Sequence, residues 1–180
     1  MNKRVILDNQ QLDIMLIRLA HELHESHPNM DKCALVGMQP RGIALASRIK
    51  SILEERFNHK NIRYGELDST FYRDDFRRSE KILLPSAMAL DFPIEGMHVI
   101  LIDDVLYTGR SVRSALNALA DFGRPATTEL LTLIDRRFSR ELPIQPDYVG
   151  TNVDTRGNDK VIVDLEEEQK VWILTDTDNA

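Results

Sequence analysis

The chain has 180 residues, 42% of them hydrophobic and 29% charged, which suits one globular domain with a sizeable core. A net charge of −6 argues against broad electrostatic attraction to nucleic acid, and a single cysteine excludes both an intramolecular disulfide and a multi-cysteine zinc site. No apolar run is long enough to span a bilayer and no signal-like apolar stretch follows Met1–Arg4, so the expected location is the cytoplasm.

A short strand is expected right after the N-terminus. Asp8 then caps a helix reaching about residue 25, with Gln11 in the capping-box position and Leu12, Met15, Leu16, Leu19 and Leu23 as its buried stripe. Residues 33–36 read as a strand, which makes Cys33 an inert core thiol. A glycine-bearing loop over 37–42 leads into a helix from 43 to about 57. Residues 62–67 and 70–72 read as extended, and the charged stretch that follows as a mobile loop over about 73–90. Strands are further expected at 99–102 and 130–134 and in the C-terminal stretches 149, 161–163 and 171–174. A helix begins after Gly109, with Gly123 and Pro125 closing it. Strand–helix alternation implies an α/β chain with a doubly wound, mostly parallel sheet.

The most informative stretch is His98-Val99-Ile100-Leu101-Ile102-Asp103-Asp104-Val105-Leu106-Tyr107-Thr108-Gly109-Arg110-Ser111. Its continuous β-branched run suits a strand covered on both faces, and ligands of open α/β sheets sit at the carboxyl ends of such strands. Asp103 and Asp104 fall at that end, and Thr108, Gly109 and Ser111 open the next helix. Free N–H groups and the positive dipole end of a helix favour a phosphate there, and Gly109 lets the backbone approach it closely. Two carboxylates beside an anion-binding loop suit a ligand that carries a phosphate and, close by, hydroxyls or a metal. Phosphoribosyl pyrophosphate (PRPP) is such a ligand. Gly37-Met38-Gln39-Pro40-Arg41-Gly42 repeats the strand–loop–helix arrangement, with Arg41 as a fixed cation.

This stretch resembles the PRPP-binding signature of type I phosphoribosyltransferases. Further segments resemble one branch of them, the pyrimidine-operon attenuation regulators that are also uracil phosphoribosyltransferases. Those segments are Val5-Ile6-Leu7-Asp8, Leu19-Ala20-His21-Glu22, Val36-Gly37 with Arg41-Gly42-Ile43, Gly65-Glu66-Leu67-Asp68 and Tyr72-Arg73-Asp74-Asp75. Beyond the signature they continue with Gly123-Arg124-Pro125, Arg140-Glu141-Leu142-Pro143-Ile144 and Asp147-Tyr148-Val149-Gly150.

The resemblance implies a single phosphoribosyltransferase domain over 1–180, with a hood of extra strands from about 136–160 plus the terminal segments. It implies a uracil phosphoribosyltransferase that converts uracil and PRPP to UMP and pyrophosphate, using Mg²⁺. Asp103 and Asp104 would hold the ribose hydroxyls, and Val105, Leu106, Tyr107, Thr108, Gly109, Arg110 and Ser111 the 5-phosphate. Gln39, Pro40, Arg41 and Gly42 would hold the pyrophosphate. Arg73 would close over the leaving group, with Asp74 and Asp75 orienting it or holding the metal through water. Asp103, Asp104, Glu66 and Asp68 would form the metal shell, mostly through water or substrate. Asp135, Arg136 and Tyr148 are the candidates for the base pocket. His21, His24, His27, His59 and His98 show no zinc-ligand spacing along the sequence.

Family regulators bind leader mRNA through a basic face of a dimer, and a homodimer or homotetramer is implied here. The first helix carries Asp13, Ile14 and Ile17 where basic and hydroxyl residues are usual, although Arg18 and His21 remain. Gln145, Pro146 and Thr151 are further departures, while Arg137, Arg140, Arg156 and Lys160 are kept. Fewer phosphate contacts predict weak or absent attenuation. Two classes therefore stand: an enzyme, or a UMP- and PRPP-sensing RNA-binding regulator with little catalytic activity. A purine or orotate enzyme fits the PRPP motif but not the branch-specific segments.

Overall fold

The computed structural model describes residues 2–68, 90–155 and 159–175. In chain order it contains β1 (Asn2–Leu7), α1 (Asn9–Ser26), a short 3₁₀ turn (Met30–Lys32), β2 (Cys33–Met38), α2 (Gly42–Phe57), β3 (Arg63–Leu67) and β4 (His98–Leu106). Then come α3 (Arg110–Leu119), β5 (Thr127–Arg137), β6 (Tyr148–Asp154), β7 (Lys160–Asp164) and β8 (Lys170–Thr175).

Five strands form a parallel sheet in the order β3-β2-β4-β5-β6. Alternation of side chains along each strand divides the core in two. Leu35, Ile100, Ile102, Leu131 and Leu133 pack with α1 and α2 on one face. Val36, Val99, Leu101 and Leu130 pack with Val112, Ala115 and Leu119 of α3 on the other. The sheet is therefore doubly wound, as the alternation of elements implied. Leu116 and Ala120, on the outer face of the third helical segment, are exposed.

The α1 cap forms as expected. Gln11 N–H donates to Asp8 Oδ1 at 2.9 Å, and Asp8 N–H donates to Gln11 Oε1 at 3.0 Å. The expected stripe is buried, with Met15 at its half-buried edge.

Two boundaries differ from the sequence expectation. The strand expected over 99–102 continues as β4 to Leu106, because its ladder with β5 runs on through Asp103↔Thr132 and Leu106↔Asp135. Both aspartates thus lie inside a strand and are held by its hydrogen bonds. The hood is also composed differently. Residues 148–154 are not part of it, since β6 pairs in parallel with β5 over Leu131↔Tyr148 to Arg137↔Asp154. The hood is the antiparallel sheet β1-β8-β7, built from the two terminal segments. The expected extended segment 70–72 and most of the loop 73–90 lie outside the described residues.

Candidate active site

The site sits at the carboxyl end of the parallel sheet, where β4 ends between the N-termini of α2 and α3. Gly42 brings α2 against β4. A Cβ at that position would lie 2.1 Å from the Ile102 carbonyl oxygen, so no other residue permits this approach. Gly109 forms the N-cap of α3 with φ +90°, a left-handed conformation that favours glycine. Neither α2 nor α3 has a side-chain cap. At α3 the Thr108 hydroxyl takes the Arg110 N–H at 3.3 Å instead.

The loop after β4 is braced from below. The N–H groups of Glu141 and Leu142 donate to the Thr108 carbonyl at 3.0 and 3.3 Å. Arg140 bonds both the Tyr107 carbonyl and the Asp135 carboxylate, and Arg110 pairs with Glu141 at 2.6 Å. Residues 105–112 enclose a cavity of about 170 Å³, roomy enough for a phosphate group.

The two carboxylates are electrostatically costly as they stand. Asp104 is buried, and its Oδ2 has no hydrogen-bond partner among the described residues. Among the described residues its nearest cation is Arg41, 3.9 Å away and itself well exposed. Burial pushes Asp103 up, and the Asp104 charge adds to the effect. Burial also pushes Asp104 up, against the opposing field of Arg41. Such a pair favours a ligand that supplies cationic charge or hydroxyl donors. That preference is the physical test of fit for Mg²⁺ with a ribose, and the residues meet it.

A second cavity, of about 390 Å³, opens between Pro40, Arg41 and Asp104 on one side and Ile162, Val163 and Trp172 of the hood on the other. These hood residues were not expected as site residues. No sequence signal marks them, because only folding brings the two termini over β4.

Residues 4–170 match the phosphoribosyl transferase domain family. The chain belongs to the phosphoribosyltransferase family. It is 44% identical over 167 residues to the bifunctional protein PyrR of Bacillus cereus strain AH820, covering 92% of each chain. The same figures hold for that of Bacillus thuringiensis subsp. konkukian strain 97-27. Among solved structures, a hypoxanthine phosphoribosyltransferase of Trypanosoma cruzi in a ternary substrates complex superposes with a TM-score of 0.75 at 18% identity. It covers 95% of this chain and 94% of its own. A Staphylococcus aureus hypoxanthine phosphoribosyltransferase gives 0.67 at 19% identity, with 86% and 80% covered. At such identities these two share the fold alone.

Within this phosphoribosyltransferase fold, Asp103, Asp104, Arg41, the segment 39–42 and the loop 105–111 converge on one cleft. The Gln39–Pro40 peptide is cis. Glu66 lies in β3 and Asp68 directly follows it, beside the loop 39–42, since the Gln39 N–H donates to the Leu67 carbonyl at 2.9 Å. Glu66 lies 3.5 Å from the Tyr64 hydroxyl.

Asp135 is tied to Arg140. Arg136 donates from Nε to Thr155 Oγ1 at 2.9 Å and from Nη2 to the Asp159 carbonyl at 3.0 Å, and it stacks on the Tyr107 ring at 3.9 Å. Both therefore stand behind the loop as supports. Tyr148 turns away from the base pocket. Its backbone pairs with Leu131 of β5, but its buried side chain runs toward the start of that strand and donates to Glu129 Oε2 at 2.7 Å. Arg73, Asp74 and Asp75 lie outside the described residues.

Proposed function

We propose that this phosphoribosyltransferase transfers the 5-phosphoribosyl group of PRPP to N1 of uracil, giving UMP and pyrophosphate. The observation that carries the reading is the adjacent pair of half-buried Asp103 and buried Asp104, held between two helix N-termini whose N-cap residues give no side-chain cap. The loop 105–111 and the start of α3 take the 5-phosphate, since their N–H groups and dipole favour an anion. Asp103 and Asp104 accept hydrogen bonds from the ribose 2- and 3-hydroxyls. Arg41 and the N-terminus of α2 hold the pyrophosphate. The bond between C1 and the pyrophosphate oxygen breaks, the bond from C1 to uracil N1 forms, and the N1 proton passes to solvent or to the leaving group. As the sugar ring gains positive charge, the two carboxylates stabilise it, while Arg41 stabilises the departing anion. Mg²⁺, when bound with PRPP, neutralises pyrophosphate charge, and Asp103 and Asp104 are the residues placed to hold it.

The hood cavity suits the base. Ile162 and Trp172 offer an apolar wall. β7 is the edge strand of the hood, so it presents unpaired backbone donors and acceptors that can read a pyrimidine edge.

The PyrR relatives are described as bifunctional, and a role for this chain in binding pyrimidine-operon leader RNA is the second reading. Charge placement weighs against it. Arg18 is paired with Glu22, and Arg137 with Asp154 at 2.8 Å, while Ile14 is 68% exposed on the same helix as Arg18.

Purified protein incubated with PRPP, Mg²⁺ and a panel of nucleobases should form UMP from uracil and nothing from hypoxanthine, guanine or orotate. Nucleotide from another base overturns the specificity. Absence of any product from folded, UMP-binding protein, together with sub-micromolar leader RNA affinity at physiological salt, establishes the sensing regulator instead.

A further inference from the structure

The opposite end of the parallel sheet holds a second cluster of metal-ligating side chains. His27 caps the C-terminus of α1, His98 begins β4, and Glu129 lies near the start of β5. Their ligand atoms all lie within 4.8 Å of one another, and all three residues are half-buried. The His27 Nε2 atom is 2.9 and 3.1 Å from the two Glu129 oxygens. The His27 and His98 rings are 5.3 Å apart.

The surroundings orient these groups as the outer shell of a metal site does. Thr127 Oγ1 sits 2.8 Å from His98 Nδ1, which leaves His98 Nε2 for a metal. Tyr148 donates to Glu129 Oε2 at 2.7 Å, and the Thr127 hydroxyl to Glu129 Oε1 at 3.3 Å. Burial acts to raise Glu129, but the hydrogen bonds from His27 and Tyr148 prevail and hold its carboxyl below the usual range. It is therefore anionic at neutral pH. The carbonyl end of α1 adds negative potential that favours a cation.

We propose that His27 Nε2, His98 Nε2 and Glu129 bind a Zn²⁺ ion, with the fourth position open to water. Zinc bonds of about 2.0–2.2 Å place tetrahedral donors roughly 3.3–3.5 Å apart, so His27 and Glu129 need only a small opening and His98 a small closing rotation. The ion would pin the end of α1 to β4 and β5. The ligands come from three separate elements, which is why no spacing motif marks them in the sequence. The site is independent of the PRPP cleft at the other end of the same strands.

The test uses the full chain, stripped with a chelator and titrated with ZnCl₂ against a chromophoric competitor, without PRPP or base. One Zn²⁺ per chain should bind with sub-micromolar affinity. His98→Gln and Glu129→Gln should each weaken binding at least tenfold while the circular dichroism spectrum stays folded. Asp103→Asn/Asp104→Asn should leave the affinity unchanged, as should His59→Gln, which breaks the separate His24–His59 contact of 2.9 Å. Co²⁺ should give the intense visible absorption of a low-coordinate N/O site in the parent chain and not in His98→Gln. Zn²⁺ affinity insensitive to His98→Gln and Glu129→Gln overturns the proposal. So does binding lost in Asp103→Asn/Asp104→Asn, or no binding tighter than the competitor allows; the cluster is then a His–Glu ion pair alone.

Discussion

The two ends of the parallel sheet carry carboxylates in opposite electrostatic states. At the carboxyl end, Asp103 and Asp104 sit side by side with one distant, exposed arginine among the described residues, and burial pushes both upward. At the amino end, Glu129 accepts from Tyr148 and pairs with His27 and is held down. Burial acts in the same direction at both ends, so the difference lies in the partners. A half-buried carboxylate with its donors in place contributes to the fold. A carboxylate pair that leaves Asp104 Oδ2 without a donor among the described residues weakens it and favours a ligand that brings one.

The sharpest way to break this contrast is to remove the charge at the cleft. Asp103→Asn/Asp104→Asn should abolish nucleotide formation, a loss on the order of 10³-fold or more. The same variant should unfold at a higher temperature than the parent above pH 8. The sign follows from the raised folded-state pKa values. Ionisation is easier in the unfolded chain, so the pair's contribution is most favourable below the usual aspartate range and is lost as pH rises through the folded value, about 8 for Asp103. The asparagine variant lacks that loss, by on the order of 1 kcal/mol. Thermal unfolding of both proteins at pH 6 and pH 9 checks it; an equal difference at the two pH values refutes the assignment.

Gly42→Ala tests whether the cleft depends on the close approach of α2. Its Cβ would lie 2.1 Å from the Ile102 carbonyl, so the helix must shift. A loss of about 1–3 kcal/mol in stability is expected, with a weaker apparent affinity for PRPP. Denaturant unfolding and initial rates measure the two effects separately.

Glu129→Gln addresses the other end and has the smallest expected effect, about 1–2 kcal/mol from a lost charge-assisted hydrogen bond. Here the folded-state pKa is depressed, so the parent's advantage is present above the unfolded value near 4.5 and is lost as pH falls through the folded one. The stability difference from Glu129→Gln should shrink in acid, and activity at neutral pH should hardly change.

Much of the cleft was legible in the chain because its parts are contiguous. An apolar run, two aspartates and a Thr-Gly turn before a helix occupy one stretch, and local geometry alone sets them next to one another. The same holds for Gln39-Pro40-Arg41-Gly42 and for the Asp8–Gln11 cap. Tyr148 was expected in the base pocket because a motif does not say which way its side chain turns, and here it turns to Glu129. The resemblance counted Arg140 among the cations kept for RNA, yet it braces Tyr107, since the connection from β5 to β6 folds back under the loop. Ile162 and Trp172 became cleft residues only when β7 and β8 joined β1 across nearly the whole length of the chain.

The sequence by itself determined the doubly wound sheet, the capped first helix and the carboxylate–glycine loop, because each follows from periodicity and neighbour chemistry within about a dozen residues. The tertiary structure alone decided the composition of the hood, the pairing that carries Asp103 and Asp104 inside β4, and the meeting of His27, His98 and Glu129. Those depend on strand order and register, which are fixed by burial of whole faces against one another rather than by any local signal.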